Sequence, residues 1–246
     1  MPVTVPSLEP IPPGPGLRLL ARMVPAVGVV VEQIAPYTAW WDEQNQEASV
    51  ADGPLLVAVG DSTAIGVGAS HPALSYVGRL RHLLERHHGA PWRVINLARS
   101  GARLDDGLDR QVPILDQVRW AGGEPDVVVA CLGTNDLVWG KEVTMLRERV
   151  RSLVDRLPPA TVVGMVAGGS ARAQLVNRAI RGRAGELGRT VVDPWAEPTP
   201  PGQRRLAGDR FHPNDLGYEL MAIPFARALG LDPPSPEHLG TVDDDR

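Results

Sequence analysis

The sequence predicts one α/β domain, a three-layer α/β/α sandwich on a five-stranded parallel sheet, and three observations carry that prediction. Five short valine-rich runs recur along the chain and are apolar at successive rather than alternate positions, the mark of strands covered on both faces. Longer segments of helical pattern stand between them, as the crossovers of a parallel sheet require. The 246 residues are 43% hydrophobic and 22% charged, an ordinary globular balance in a chain long enough for one sizeable core but short for two.

Residues 1–16 contain six prolines and read as an extended, mobile arm. Residues 17–52 read as a helical extension broken at Pro25 and Pro36, each of which removes a backbone donor. Trp40 and Trp41 within it are expected to fasten the extension to the main domain rather than to form a binding platform. The main domain is placed at 53–231, and a mobile acidic tail at 232–246.

The first run of that domain, LLVAVG (55–60), is followed by a helix from Ala73 to His88, whose HLLERHHG ending brings basic side chains to the negative end of the helix dipole before Gly89. WRVINLA (92–98) leads into a helix from Leu104 to Trp120, and DVVVACLG (126–133) into one from Glu142 to Leu157. The single cysteine, Cys131, lies inside that third run and reads as a small core hydrophobe without a disulfide partner. TVVGMVAG (161–168) precedes a helix from Ala171 to Leu187. TVVDPW (190–195) is the last run, and a helix from Leu216 to Leu229, capped by Asn214 or Asp215, closes the domain.

Lys and Arg total 25 against 29 Asp and Glu, a formal net charge of -4, and no basic stripe interleaved with aromatics is present. Nucleic acid is therefore not an expected partner. No apolar stretch reaches the roughly 20 residues of a membrane span; the best, LRLLARMVPAVGVVVEQIA, is interrupted by Arg18, Arg22, Pro25, Glu32 and Gln33. The Pro-rich arm before it and the lack of an evident small-residue cleavage site speak against a signal peptide. The expectation is a cytoplasmic protein, with export as the alternative, and the oligomeric state is left open.

In a sheet of this kind ligands bind beyond the carboxyl ends of the strands. Ser62 follows the first run in GDS at 60–62, Asn96, Ser100 and Gly101 end the second in INLARSG, and Gly133, Asn135 and Asp136 follow the third in CLGTND. Asp209 and His212 come beyond the fifth, in GDRFHPND. A serine hydroxyl needs an imidazole to take its proton, and the imidazole needs a carboxylate to fix its tautomer. Ser62, His212 and Asp209 are the candidates for those parts. Attack on an acyl carbonyl also builds charge on oxygen that needs donors already aimed at it. The backbone N–H groups of Ser62 and Gly101 and the side-chain amide of Asn135 are candidates, and Gly101 has no Cβ to block a close approach. Asp61 is read as holding the loop from the base of the site. Trp139 and Trp195 follow strand ends and are candidates for walling an acyl or alcohol pocket, core packing being the other reading.

Together these blocks resemble the SGNH hydrolases, also called the GDSL esterase and lipase family: GDS, an Asn-containing segment ending in Gly101, GTND at 133–136 and DRFHP at 209–213, in that order. The resemblance runs from about Gly53 to Leu229. It implies a flavodoxin-like arrangement of the five strands and hydrolysis of a small-molecule carboxylic ester through an acyl-enzyme, with no cofactor and no metal. It implies Ser62 as nucleophile and first oxyanion donor, Gly101 and Asn135 as further donors, His212 as base and Asp209 as its orienter. Thr63 follows GDS where leucine or serine is frequent in the family, so the substrate is not carried across, and acetyl-esterase, lysophospholipase and thioesterase activities all stay open.

Four other readings are weaker on the sequence. An α/β-hydrolase would place its serine deep in the chain with acid and histidine well apart, whereas here the serine is early and the acid precedes the histidine by three residues. Nucleotide binding lacks both the G-x-G-x-x-G and the G-x-x-x-x-G-K-[ST] spacing. His82 and His87 are five apart, not four as in H-E-x-x-H, so a helix terminus explains them better than zinc. An inactive relative serving as a binding module is the remaining alternative, against which stands the occupancy of every expected catalytic position.

Overall fold

The computed structural model describes residues 5–7, 9–138 and 142–234. Before the first strand lie helices α1 (Pro15–Met23), α2 (Pro25–Glu32) and α3 (Ile34–Val50). Then come α4 (Ser62–Ile65), α5 (Tyr76–His88), α6 (Leu104–Asp106) and α7 (Val112–Gly122), the last two joined by a π-helical segment at Gly107–Gln111. They are followed by α8 (Thr134–Val138), α9 (Val143–Arg156), α10 (Ala171–Glu186) and α11 (Asp215–Ala228). The strands are β1 (Leu55–Gly60), β2 (Arg93–Asn96), β3 (Val127–Cys131), β4 (Thr161–Gly164) and β5 (Val191–Val192). Among the described residues they form one five-stranded parallel sheet in the order β2-β1-β3-β4-β5, the α/β architecture expected from the sequence.

Pleating divides the core in two. Leu56 and Ala58 of β1 and Val129 of β3 pack with Tyr76 and Leu80 of α5 and with Met221 and Phe225 of α11. Val57, Val59, Val128 and Ala130 face the other way, onto Leu115 of α7, Leu146 and Val150 of α9, and Ile180 of α10. Residues on both sides of β1 are fully buried, and each such Val or Leu contributes roughly 1.5–3 kcal/mol over exposure. This is why the run shows no alternation in the sequence.

Apart from β1, which matches its run, the strands are shorter than the apolar runs. β5 keeps only Val191 and Val192, which pair with Val163 and Gly164, and Pro194, lacking an N–H, follows after Asp193. β1 outruns its edge neighbour: its pairing with β2 ends at Ala58 opposite Asn96, but its pairing with β3 continues to Gly60 opposite Cys131. The tip that delivers Ser62 therefore has no strand on one side.

The extension is helical for most of its length, and only one of the two expected proline breaks is present. α1 ends at Met23 ahead of Pro25. Pro36, read as a break, is the third residue of α3, in the first turn, where a backbone N–H has no intrahelical acceptor and none is lost. α3 packs against β2, the sheet's edge strand. Trp41 is buried and donates from Nε1 to the Ile65 carbonyl at 2.9 Å. Among the described residues, no helix is long and apolar enough to cross a membrane.

Candidate active site

Ser62 stands at the end of β1 because the chain turns there at three successive residues. Gly60 allows a close approach: a Cβ at that position would lie 2.8 Å from Ala64 Cβ and 3.3 Å from the Cys131 carbonyl oxygen. Asp61 caps α4, its Oδ1 accepting from the N–H and the hydroxyl of Thr63 at 2.9 and 2.8 Å. Burial pushes the Asp61 carboxyl above its ordinary value, against the pull of those two bonds and of His212. Ser62 is the first residue of α4 and is 4% exposed.

A residue that the sequence did not single out holds this tip. Gln111, fully buried in the π-helical segment, accepts from the Gly60 N–H at 2.8 Å and donates to the Gly60 carbonyl at 2.9 Å. It supplies the acceptor for the Gly60 N–H that β2 is too short to give, and adds a second donor to the Gly60 carbonyl, which the Arg99 N–H reaches at 3.3 Å.

His212 reaches Ser62 from the far end of the domain. Ser62 Oγ lies 2.9 Å from His212 Nε2, and Asp209 Oδ2 accepts from Nδ1 at 2.6 Å. The other oxygen, Oδ1, accepts from the N–H groups of Phe211 and His212, both at 3.0 Å. One carboxylate thus shapes the turn and orients the ring. Burial alone would raise Asp209, but the hydrogen bond and charge of His212 and the two backbone bonds outweigh it and hold the carboxyl below its ordinary value. The turn is tight enough to place Arg210 at φ 58°, in the left-handed region that non-glycine residues seldom occupy.

Gly68 is what lets the two loops meet. With φ at +100°, a Cβ there would fall 2.4 Å from the Pro213 carbonyl oxygen and 2.8 Å from His212 Cβ. The loop carrying Gly68 is fastened from outside the sheet. Gln33 and Tyr37 donate to the Ala69 carbonyl, Gln33 accepts from the Gly68 N–H, and Tyr218 donates to the Val67 carbonyl.

The Gly101 and Asn135 segments are tied to each other. Gly101 has φ +79° and follows Ser100, whose carbonyl accepts from the Ile11 N–H at 3.0 Å. Asn135 donates one amide N–H to the Ala102 carbonyl at 2.9 Å, which orients the group and leaves its second N–H. Asp136 is buried, and its Oδ2 accepts from the Leu104 N–H at 2.9 Å, joining the start of α8 to that of α6. Among the described residues, the backbone N–H groups of Ser62 and Gly101 have no internal acceptor. Trp195 packs against the α5 and α11 side of the core, with the Arg205 guanidinium 5.0 Å from its ring centre. Trp139 lies outside the described residues. α5 ends in His87 and His88 ahead of Gly89 at φ 65°, a helix terminus of the kind read from the sequence.

A family model of GDSL-like lipases and acylhydrolases matches residues 58–220, more than half of the chain. The chain belongs to the GDSL-like lipase/acylhydrolase family. The match takes in Ser62, Gly101, Asn135, Asp209 and His212 and leaves the arm and α1 to α3 outside. Three solved structures show how far the family fold extends. The chain resembles TesA at 21% identity and TM-score 0.60, over 71% of this chain and 97% of that one. A lipase/acylhydrolase from Enterococcus faecalis is 19% identical with TM-score 0.58, over 74% and 100%. AlinE4, an SGNH-hydrolase family esterase, is 22% identical with TM-score 0.55, over 74% and 97%. No curated protein resembles the chain closely enough in sequence to count as a match.

Proposed function

We propose that this family member is a serine hydrolase of carboxylic esters that works through an acyl-enzyme on Ser62. The observation carrying this reading is the unbroken relay from Ser62 Oγ to His212 Nε2 at 2.9 Å and from Nδ1 to Asp209 Oδ2 at 2.6 Å. As Oγ attacks the carbonyl carbon, His212 takes the hydroxyl proton, and the carbonyl oxygen becomes an oxyanion. The uncommitted N–H groups of Ser62 and Gly101 and the second amide N–H of Asn135 meet that charge. Collapse breaks the bond to the alcohol, which leaves with the proton from His212, and the acyl group remains on Oγ. Water, giving its proton to His212, adds to the same carbon, and the second collapse releases the acid and restores the hydroxyl. Asp209 stays ionised throughout and stabilises the imidazolium, a part suited to a carboxyl whose pKa is already lowered. The scheme draws on no metal or cofactor.

The test is a reactive phosphonate followed by mass spectrometry, with turnover of p-nitrophenyl acetate alongside. The wild type is expected to gain one phosphonyl group on Ser62. The Ser62→Ala variant should gain none, lose turnover by about 10⁴-fold or more, and keep its thermal midpoint. Undiminished turnover in Ser62→Ala would remove the serine from the chemistry.

A further inference from the structure

Beside Gly101 the structure opens a cavity of about 460 Å³, bounded by Ile11 from the arm and by Arg103 at the start of α6. The arm is fixed there at two points. The Ile11 N–H donates to the Ser100 carbonyl at 3.0 Å, and Arg99 Nε donates to the Glu9 carbonyl. Ile11 sits so close that a Cβ on Gly101 would lie 3.2 Å from its own Cβ. A segment outside the family match thus forms one wall of a cavity that reaches an expected oxyanion donor.

Of the charged residues lining this cavity three are acidic, Asp105, Asp106 and Asp109, and two are basic, Arg103 and Arg110, and arginines from outside the lining offset two of the acids. Asp105 is paired with Arg149 at 2.9 Å and Asp106 with Arg99 at 2.6 Å. Exposed Asp109 is matched in number by exposed Arg110, which lies 3.6 Å from Asp106. Arg103 is left over: half-buried, two residues after Gly101, its guanidinium has no carboxylate and no acceptor among the described residues. Every other arginine in or bordering the cavity, including Arg99 and Arg149, has an acidic partner. A guanidinium presents a rigid fork of donors suited to a carboxylate or phosphate, and holding one half-buried without an anion forfeits that interaction.

We propose that this cavity is a subsite for an anionic limb of the ester substrate and that Arg103 is its specificity-determining residue. The inference rests on the ester-hydrolase reading and adds to it a substrate class, esters bearing a carboxylate or phosphate near the scissile bond. The oxyanion group of that limb receives charge-assisted hydrogen bonds from Arg103, while Ile11 covers its apolar portion.

Two matched ester pairs separate the possible positions of the charge: p-nitrophenyl hemisuccinate against p-nitrophenyl butyrate on the acyl side, and 3-acetoxybenzoate against phenyl acetate on the alcohol side. The full-length wild type is expected to favour the anionic member of one pair in kcat/KM. Arg103→Gln should lower that anionic-to-neutral ratio by about tenfold, Arg103→Lys should restore part of it, and added salt should erode it in the wild type. An unchanged ratio in Arg103→Gln, or no preference for either anionic ester, overturns the proposal. Calorimetric titration of Ser62→Ala with the same two anionic esters needs no turnover and keeps the two readings apart. Binding to Ser62→Ala that is lost on adding Arg103→Gln supports the subsite even if the hydrolase reading fails, and equal binding by both variants overturns it.

Discussion

Two buried side-chain amides perform the same operation at neighbouring strand ends, and they come from opposite sides of the family boundary. Gln111 takes the N–H and C=O of Gly60 at the tip of β1. Asn45 of α3 takes those of Asn96 at the tip of β2, at 2.7 and 3.0 Å. Each replaces a strand that is not there, because β2 stops short of Gly60 and is itself the edge of the sheet. The two tips hand the chain on differently. Gly60 leads in two residues to Ser62. Asn96 turns its side chain to the Ala64 carbonyl and the Ala98 N–H, and leads on towards Gly101. The matched region secures its own serine, while the extension closes the edge that an isolated strand would leave open to pairing. An appended segment becomes part of the fold by taking over such an edge.

The comparison breaks most sharply at Gln111. Gln111→Leu keeps the bulk but leaves the buried Gly60 N–H unpaired, at about 1–3 kcal/mol, and leaves the Gly60 carbonyl only the longer bond from the Arg99 N–H at 3.3 Å. Urea unfolding should therefore show a loss of about 1.5–4 kcal/mol, and because the freed residue lies two positions from Ser62, kcat on p-nitrophenyl acetate should fall about tenfold or more. A stability loss without any change in kcat would make the clamp a matter of folding alone. Asn45→Leu comes next. It strips the same two kinds of group, but α3 borders the edge, where water can replace part of what is lost, so the expected cost is about 1–3 kcal/mol with kcat close to the wild type. A larger kcat effect at Asn45 than at Gln111 would reverse the assignment of the two clamps.

What the sequence discloses and what it hides divide along the same line. The strands are legible because burial on both faces removes the polar alternation of a solvated strand, as in LLVAVG. Ser62, Gly101, Asn135, Asp209 and His212 are legible because each follows a strand end or a turn closely enough to be read with it. Gln111 and Asn45 are not, since each acts on backbone 51 residues away and no local spacing marks an amide that serves as a missing strand. Gly68 is one of three glycines at 60, 66 and 68, and nothing local sets it apart, since its reason is the approach of Pro213 and His212 from the other end of the domain. Pro36 misled because removal of a donor breaks a helix only where that donor was in use. The prolines of the arm foretell an extended chain, yet only the bonds to Ser100 and Arg99 say where it lies.

The smallest expected effect probes the extension's second attachment. Trp41 sits one turn before Asn45 on α3, and its Nε1–H binds the carbonyl of Ile65, the last residue of the short helix that begins at Ser62. Trp41→Phe keeps much of the buried ring and its edge contact with Trp40, whose centroid is 4.7 Å away, but removes the donor, for about 0.5–1.5 kcal/mol in urea unfolding. Combined with Asn45→Leu, the cost should be less than the sum of the two singles. Residues one turn apart share a rigid helix, so a helix already loosened at one contact has less to lose at the other. Full additivity, within about 0.5 kcal/mol, would mean that α3 holds the strand edge and the serine loop as two separate attachments and not as one brace.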